Sequence, residues 1–217
     1  MKKILTVIII IIIIIIALCL VSCDKSRQDT RFGNNAYNKK DYKKAHDYYK
    51  KALNQDSTFK KADYNLANTY MQDKTQDYEK AIEYYNKFLN QKPNDSKKAK
   101  KQYAKGLYNR GNAFFNMSQQ DKASEKSMKY LAQAANDYKN VLMLNPTDSN
   151  AKYNYALCLW LMKNNNNPDN NNDNNQNSSN SEINQMLEAM KNNEKNTISR
   201  VKKNKENVKN QKNEKDW

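Results

Sequence analysis

The stretch FGNNAYNKKDYKKAHDYYKKAL, Phe32 to Leu53, decides the fold. Its second half places Ala45, Tyr49, Ala52 and Leu53 at i, i+4, i+7 and i+8, which is one face of an amphipathic helix. The same set recurs as Ala81, Tyr85, Phe88 and Leu89, and again as Ala134, Tyr138, Val141 and Leu142. A second series precedes each of these: Phe32-Gly33-Asn34, Leu66-Ala67-Asn68 and Arg110-Gly111-Asn112, with Tyr155-Ala156-Leu157 as a fourth member. The unit is therefore a helix, a turn and a helix. Pro93 and Pro146, in polar stretches that follow the second helices, stop them.

The successive spacings, Gly33 to Ala67, Ala67 to Gly111 and Gly111 to Ala156, are 34, 44 and 45 residues, so one is the period and two carry insertions. The insertions fall before the third unit, at Lys97 to Lys105, and in its internal turn, at Asn116 to Lys129. The alanines at 45, 81 and 134 are places where paired helices approach closely and a ring from the neighbour covers the gap. A lone helix pair leaves one apolar face wet, so several units must stack. The half unit from Asn150 to Lys163 covers the last of them, with Leu159, Trp160 and Leu161 as packing residues.

This pattern resembles the tetratricopeptide repeat (TPR), whose unit of 34 residues carries small residues at its eighth, twentieth and twenty-seventh places. Gly33, Ala45 and Ala52 occupy them, and Tyr49 stands twenty-fourth. The resemblance covers residues 32–163, about three and a half repeats, and implies an all-α solenoid. It also implies a concave groove lined by the first helix of each pair. That groove would present Asn34 and Tyr37, then Tyr64, Asn65, Asn68 and Met71, then Lys105, Tyr108, Asn109, Asn112 and Phe115, and finally Tyr153 and Asn154. Some TPR domains hold a peptide's carboxylates with a clamp of Lys and Asn. Asn34, Asn65 and Lys105 match it, while Thr30 and Asn109 replace its basic residues. An extended peptide held by amides and stacked on Tyr is the alternative.

Residues 4 to 22 are almost wholly apolar, with isoleucine at every position from Ile8 to Ile16, after Lys2 and Lys3. Residues 1–22 thus read as a signal peptide or a membrane anchor. The end Leu20-Val21-Ser22-Cys23 resembles a bacterial lipobox, which implies acylation of Cys23 and cleavage before it. Uncleaved, 19 apolar residues rise roughly 28 Å as a helix, enough to span a bilayer. Either reading tethers a body that begins after a short linker, 23–31, and lies on the extracytoplasmic, periplasmic-facing side. Once cleaved, the chain has one remaining thiol, Cys158, in an apolar surround.

From 164 to 181 the chain has 11 Asn and no hydrophobic residue, the composition of a disordered linker. Beyond it, in 182–217, Ile183, Met186, Leu187 and Met190 form the stripe of a short amphipathic helix, followed by a Lys-rich ending at Trp217. This stripe either docks on the chain's own solenoid or anchors a partner, as Trp217 would. The anchor, the repeats, the polar linker, the Met186 to Met190 stripe and the ending Glu214-Lys215-Asp216-Trp217 together resemble the TPR member of the Bacteroides aerotolerance (Bat) group. That resemblance implies a non-enzymatic component beside membrane proteins with von Willebrand A domains.

Composition narrows the alternatives. Glycine occurs only at 33, 106 and 111, so neither a Walker loop nor a dinucleotide-binding turn can be written, and no cofactor is expected. A single histidine, His46, leaves no His-cluster metal site. A hydrolase would have to use His46 with Cys158 or a serine. The net charge is +15, and 34 of the 38 basic residues are Lys, whereas phosphates and guanine edges are usually read by Arg. Residues 24–163 hold 27 basic and 15 acidic side chains, net +12, which motivates electrostatic binding of an envelope polyanion or nucleic acid as the competing reading.

Overall fold

The computed structural model describes residues 2–73, 76–120 and 124–165, together with Ser181, Ile183, Asn184, Gln185, Leu187 and Glu188. In the first helix, side chains are described at Ile4, at 7–14 and from Lys25 onward. The recurring pattern becomes three helix pairs and a seventh helix: α1 (Lys2–Asn38) with α2 (Tyr42–Gln55), α3 (Lys60–Gln72) with α4 (Tyr78–Leu89), α5 (Lys97–Gln120) with α6 (Glu125–Leu144), then α7 (Ser149–Asn165). Each helix packs on the next in chain order, which makes a TPR solenoid.

Local chemistry starts each second helix in the same way. The Lys44 N–H donates to the Asp41 carboxylate and the Lys80 N–H to that of Asp77, each satisfying a donor the first turn would leave unpaired. Lys40 and Gln76, one residue before each cap, turn the chain with left-handed backbone (φ 61° and 43°). In the third pair, Ser124 caps α6 through the Ser127 N–H.

Ala45, Ala81 and Ala134 are wholly buried, as the spacing requires of the close-approach positions. Tyr49, Tyr85 and Tyr138 are the largest side chains with almost no exposure, and each lies over the small residue of its pair's first helix. At Gly33 the approach admits nothing larger, because a Cβ would stand 2.5 Å from the Tyr49 ring.

The structure corrects two expectations. Residues 23–31 are helical rather than a linker, and Ser26, Asp29 and Thr30 are buried. The Ser26 hydroxyl donates to the Ala52 carbonyl at 3.1 Å, and Gln55 donates to Asp29 at 2.9 Å, so the packed body begins right after Cys23. Residues 97–105 are also helical, forming the first turns of α5. Of the stretch 116–129, expected as an enlarged turn, residues 116–120 continue α5 and 125–129 open α6. There Ser118 and Ser127 are buried, and the Ser127 hydroxyl donates to the Ser118 carbonyl at 2.9 Å. Short polar side chains that look like loop in a sequence here donate to backbone carbonyls, Ser118 within its own helix and Ser127 across to the neighbouring one.

The last helix behaves as a cover. Cys158 of α7 packs with Leu131, Ala134 and Tyr138 of α6, and burial pushes its thiol up to about 12. Leu159, Trp160 and Leu161 are half-buried. At the other end, Ile4 and Val7 to Ile14 are exposed on α1. Among the described residues no helix is long and apolar enough to cross a membrane.

Candidate protein-binding groove

The first helices of the pairs, with α7, place six asparagines in a row of three bonded couples. Asn34 Oδ1 accepts from the Tyr49 hydroxyl and from Asn65 Nδ2, both at 2.8 Å. One repeat on, Asn68 Oδ1 accepts from the Tyr85 hydroxyl at 2.5 Å and from Asn109 Nδ2 at 2.9 Å. At the third, Asn112 Oδ1 accepts from the Tyr138 hydroxyl at 2.8 Å and from Asn154 Nδ2 at 3.4 Å. Each carbonyl oxygen thus ties its own pair's second helix to the following pair's first helix. Asn109 and Asn154 also donate to the hydroxyls of Tyr64 and Tyr108, which strengthens the same joints.

Burial fixes the direction of these bonds. It pushes the phenols of Tyr49, Tyr85 and Tyr138 far above their ordinary range, so they stay protonated and donate. Each asparagine at 34, 68 and 112 must then turn its oxygen toward the tyrosine, which leaves its Nδ2 without a protein acceptor among the described residues. These amides line adjoining clefts: Asn34 and Asn68 with Tyr37 and Asn65 in one of about 280 Å³, Asn68 and Asn112 with Tyr37 and Met71 in one of about 210 Å³, and Asn112 and Asn154 with Phe115 in one of about 440 Å³.

The predicted groove residues are therefore brought together, with part of their polarity spent on the fold. Asn34 and Asn65 bond to each other, while Lys105, the third member of the clamp pattern, is exposed beside Tyr64, Tyr108 and Asn109. Tyr153 is 44 % exposed. In the tail, Ile183 is buried and Leu187 half-buried, so this side of the segment is covered within the chain itself. Met186, Met190 and Trp217 lie outside the described residues, as does the side chain of Cys23.

Sequence reading missed two polar sets. It took Tyr49, Tyr85 and Tyr138 as packing rings only, although their being Tyr rather than Phe or Leu in all three units was the available signal. It also missed Arg110, whose Nε and Nη2 donate to both oxygens of the buried Asp137 at 2.8 and 2.6 Å and whose Nη1 donates to Asn86 at 2.7 Å. His46 and Cys158 lie in the first pair and in the last helix; His46 Nε2 is bonded to the Tyr70 hydroxyl at 2.9 Å, and Cys158 is buried.

Comparison with known proteins gives a consistent picture of the fold. No curated protein matches the chain. The first TPR of Spaghetti (RPAP3), solved bound to HSP90 peptide SRMEEVD, is similar to it with 20 % identity and a TM-score of 0.51, over 65 % of this chain and 95 % of that one. The Arabidopsis OM64 TPR domain is similar with 20 % identity and a TM-score of 0.50, over 63 % and 96 %. The first TPR domain of human RPAP3 has the same identity and score, over 66 % and 97 %. Residues 36–106 match the family model of the tetratricopeptide repeat, and the chain has the TPR solenoid fold.

Proposed function

We propose that the protein is a membrane-anchored TPR scaffold whose groove holds an extended segment of a protein partner. The observation that carries this reading is the row of Asn34, Asn68 and Asn112 amides, each aligned by a tyrosine and left with donors toward a cleft. Repeating donors along a groove suit the repeating carbonyls of an extended backbone, and tyrosines beside them supply contact area at small entropic cost. A peptide is bound by the Spaghetti (RPAP3) domain whose fold this chain shares, which supports the class of ligand and says nothing of its sequence.

The anchoring part rests on the apolar run after Lys2-Lys3 and on the lipobox-like Leu20 to Cys23, which place the body on the extracytoplasmic face of a bacterial membrane. The tail motif and the lysine-rich ending support a role beside membrane proteins with von Willebrand A domains, in a complex of aerotolerance type, with Met186, Met190 and Trp217 as further partner contacts.

The test is capture of membrane proteins from detergent extracts by the full chain, compared with a version carrying Asn34→Asp, Asn68→Asp and Asn112→Asp. The substitutions keep the acceptor oxygen and replace the free donor by a carboxylate oxygen. Defined partners recovered by the native chain and lost with the variant are expected; equal recovery refutes the groove reading.

A further inference from the structure

We propose that the edge of the solenoid from which the apolar helix emerges binds the headgroups of anionic lipids. The inference rests on the anchoring reading above and adds a second, electrostatic contact to it.

Topology selects the edge. Antiparallel hairpins put the starts of α1, α3, α5 and α7 and the ends of α2, α4 and α6 on one side. Four contacts mark it: Ser26 with Ala52, Lys60 Nζ with Asn90 at 3.1 Å, the Tyr103 hydroxyl with the Leu89 carbonyl, and Ala151 in one cluster with Val141. Ser26 is fully buried, so only Asp24 and Lys25 separate the packed body from Cys23. Two residues span at most about 7 Å, so an anchor embedded to Cys23 holds this edge at the headgroups.

Charge then follows the topology. Lys61, Lys92, Lys97, Lys98 and Lys101 are exposed on this edge and have no acidic partner among the described residues. Among its acids, Asp95 pairs with Lys100 at 2.9 Å, Asp56 accepts from the Thr58 N–H and hydroxyl, Asp148 caps α7 through the Ala151 N–H, and Asp29 is buried. The opposite edge is mixed in sign: Lys39, Lys40, Lys43 and Lys44 are exposed there along with Asp41 and Asp47, Lys80 pairs with Asp77, and Lys129 pairs with Glu125.

The insertion before the third unit strengthens the argument independently. It lengthens α5 on this edge alone, and Lys97 stands nine residues ahead of Gly106, which abuts Phe88 near the end of α4. Lys97, Lys98 and Lys101 are thereby carried roughly 7 to 13 Å past that level, on the side where α1 leaves. Behind them lies a cleft of about 830 Å³ walled by Lys97, Lys101, Lys105, Leu144, Asp95 and Asp148, and Met143, one residue before Leu144, is 74 % exposed. A row of ammonium groups within a Debye length of a phosphate surface, with an apolar side chain among them, fits an anionic bilayer.

The experiment uses the full native chain in nanodiscs of phosphatidylcholine, alone or mixed equally with phosphatidylglycerol, and measures the acetylation rate of each lysine by mass spectrometry. With phosphatidylglycerol, Lys61, Lys97 and Lys101 should react roughly fivefold more slowly, and recover in high salt, while Lys80, Lys126 and Lys129 keep their rates. Equal rates in the two kinds of disc, with the chain still disc-bound, overturn this proposal and leave the anchor standing. A chain that does not travel with discs at all removes the anchor and this proposal together. Protection by added nucleic acid but not by phosphatidylglycerol assigns the edge to a soluble polyanion and likewise overturns it.

Discussion

Replacing Arg110 by Met should be the most damaging single change that leaves every apolar contact position intact. Arg110 reaches from α5 to both oxygens of Asp137 on α6 and to Asn86 on α4, so one guanidinium closes the joint between the second and third pairs. The Asp137 side chain is 1 % exposed and that of Arg110 21 %, so solvent screens the pair little. Removing one partner of a buried pair leaves a charge without compensation and costs about 3–5 kcal/mol. At 2–4 °C per kcal/mol this lowers the melting temperature by roughly 10 °C. Burial already raises the Asp137 pKa, with Arg110 offsetting only part of it, and losing Arg110 raises it further. For a carboxyl raised in the folded state, stability is regained as pH falls through the folded pKa toward the unfolded one. The loss should therefore be largest at pH 7 and shrink in acid, and Asp137→Asn added to Arg110→Met should restore much of it. Circular dichroism melts of the full chain in detergent measure all three. A variant within about 1 kcal/mol of the native protein, or a deficit that Asp137→Asn leaves unchanged, refutes the reasoning.

Other outcomes follow from single contacts. Gly33→Ala pushes a methyl group into the buried Tyr49 ring, itself bonded to Asn34, and should cost about 1–3 kcal/mol; Gly106→Ala meets the Phe88 ring, packed on Tyr64, at the same 2.5 Å and should cost a similar amount in the same melts. Asn68→Ala strips the acceptor from Tyr85 and Asn109 and should cost about 1–3 kcal/mol, whereas Asn68→Asp keeps that oxygen and should melt close to the native protein while losing partners. Asp63 is buried and its pKa is raised to about 6 by desolvation, against smaller opposing effects of Lys87 and Lys60. Stability should thus rise as pH falls from 7 toward 4, and Asp63→Asn should flatten that slope and raise the melting temperature at pH 7.

The repeat was legible because its determinants are local. Small residues at 33, 67 and 111 and rings at 49, 85 and 138 recur at fixed intervals, and close packing requires both. The insertions were legible as lengths and illegible as conformations. Lys97-Lys98-Ala99-Lys100-Lys101 has no apolar face to declare a helix, and it is helical because it continues one already paid out by Leu107 and Gly111. Residues 23–31 failed in the same way. Ser26, Asp29 and Thr30 look like linker, yet they bond to the end of α2 or to their own helix, which no spacing within α1 reveals.

The site was half legible for a related reason. Asparagine on the inner helices has one acceptor and two donors, and sequence cannot say which end the fold consumes. The buried tyrosine hydroxyl from the same pair gives its proton to the asparagine oxygen, so the fold takes that oxygen, and the next pair's asparagine shares it because successive inner helices are neighbours. The remaining donors face the clefts as a consequence. A ligand that offers acceptors therefore meets amides already oriented by the core, and it does not have to break the joints between repeats to bind.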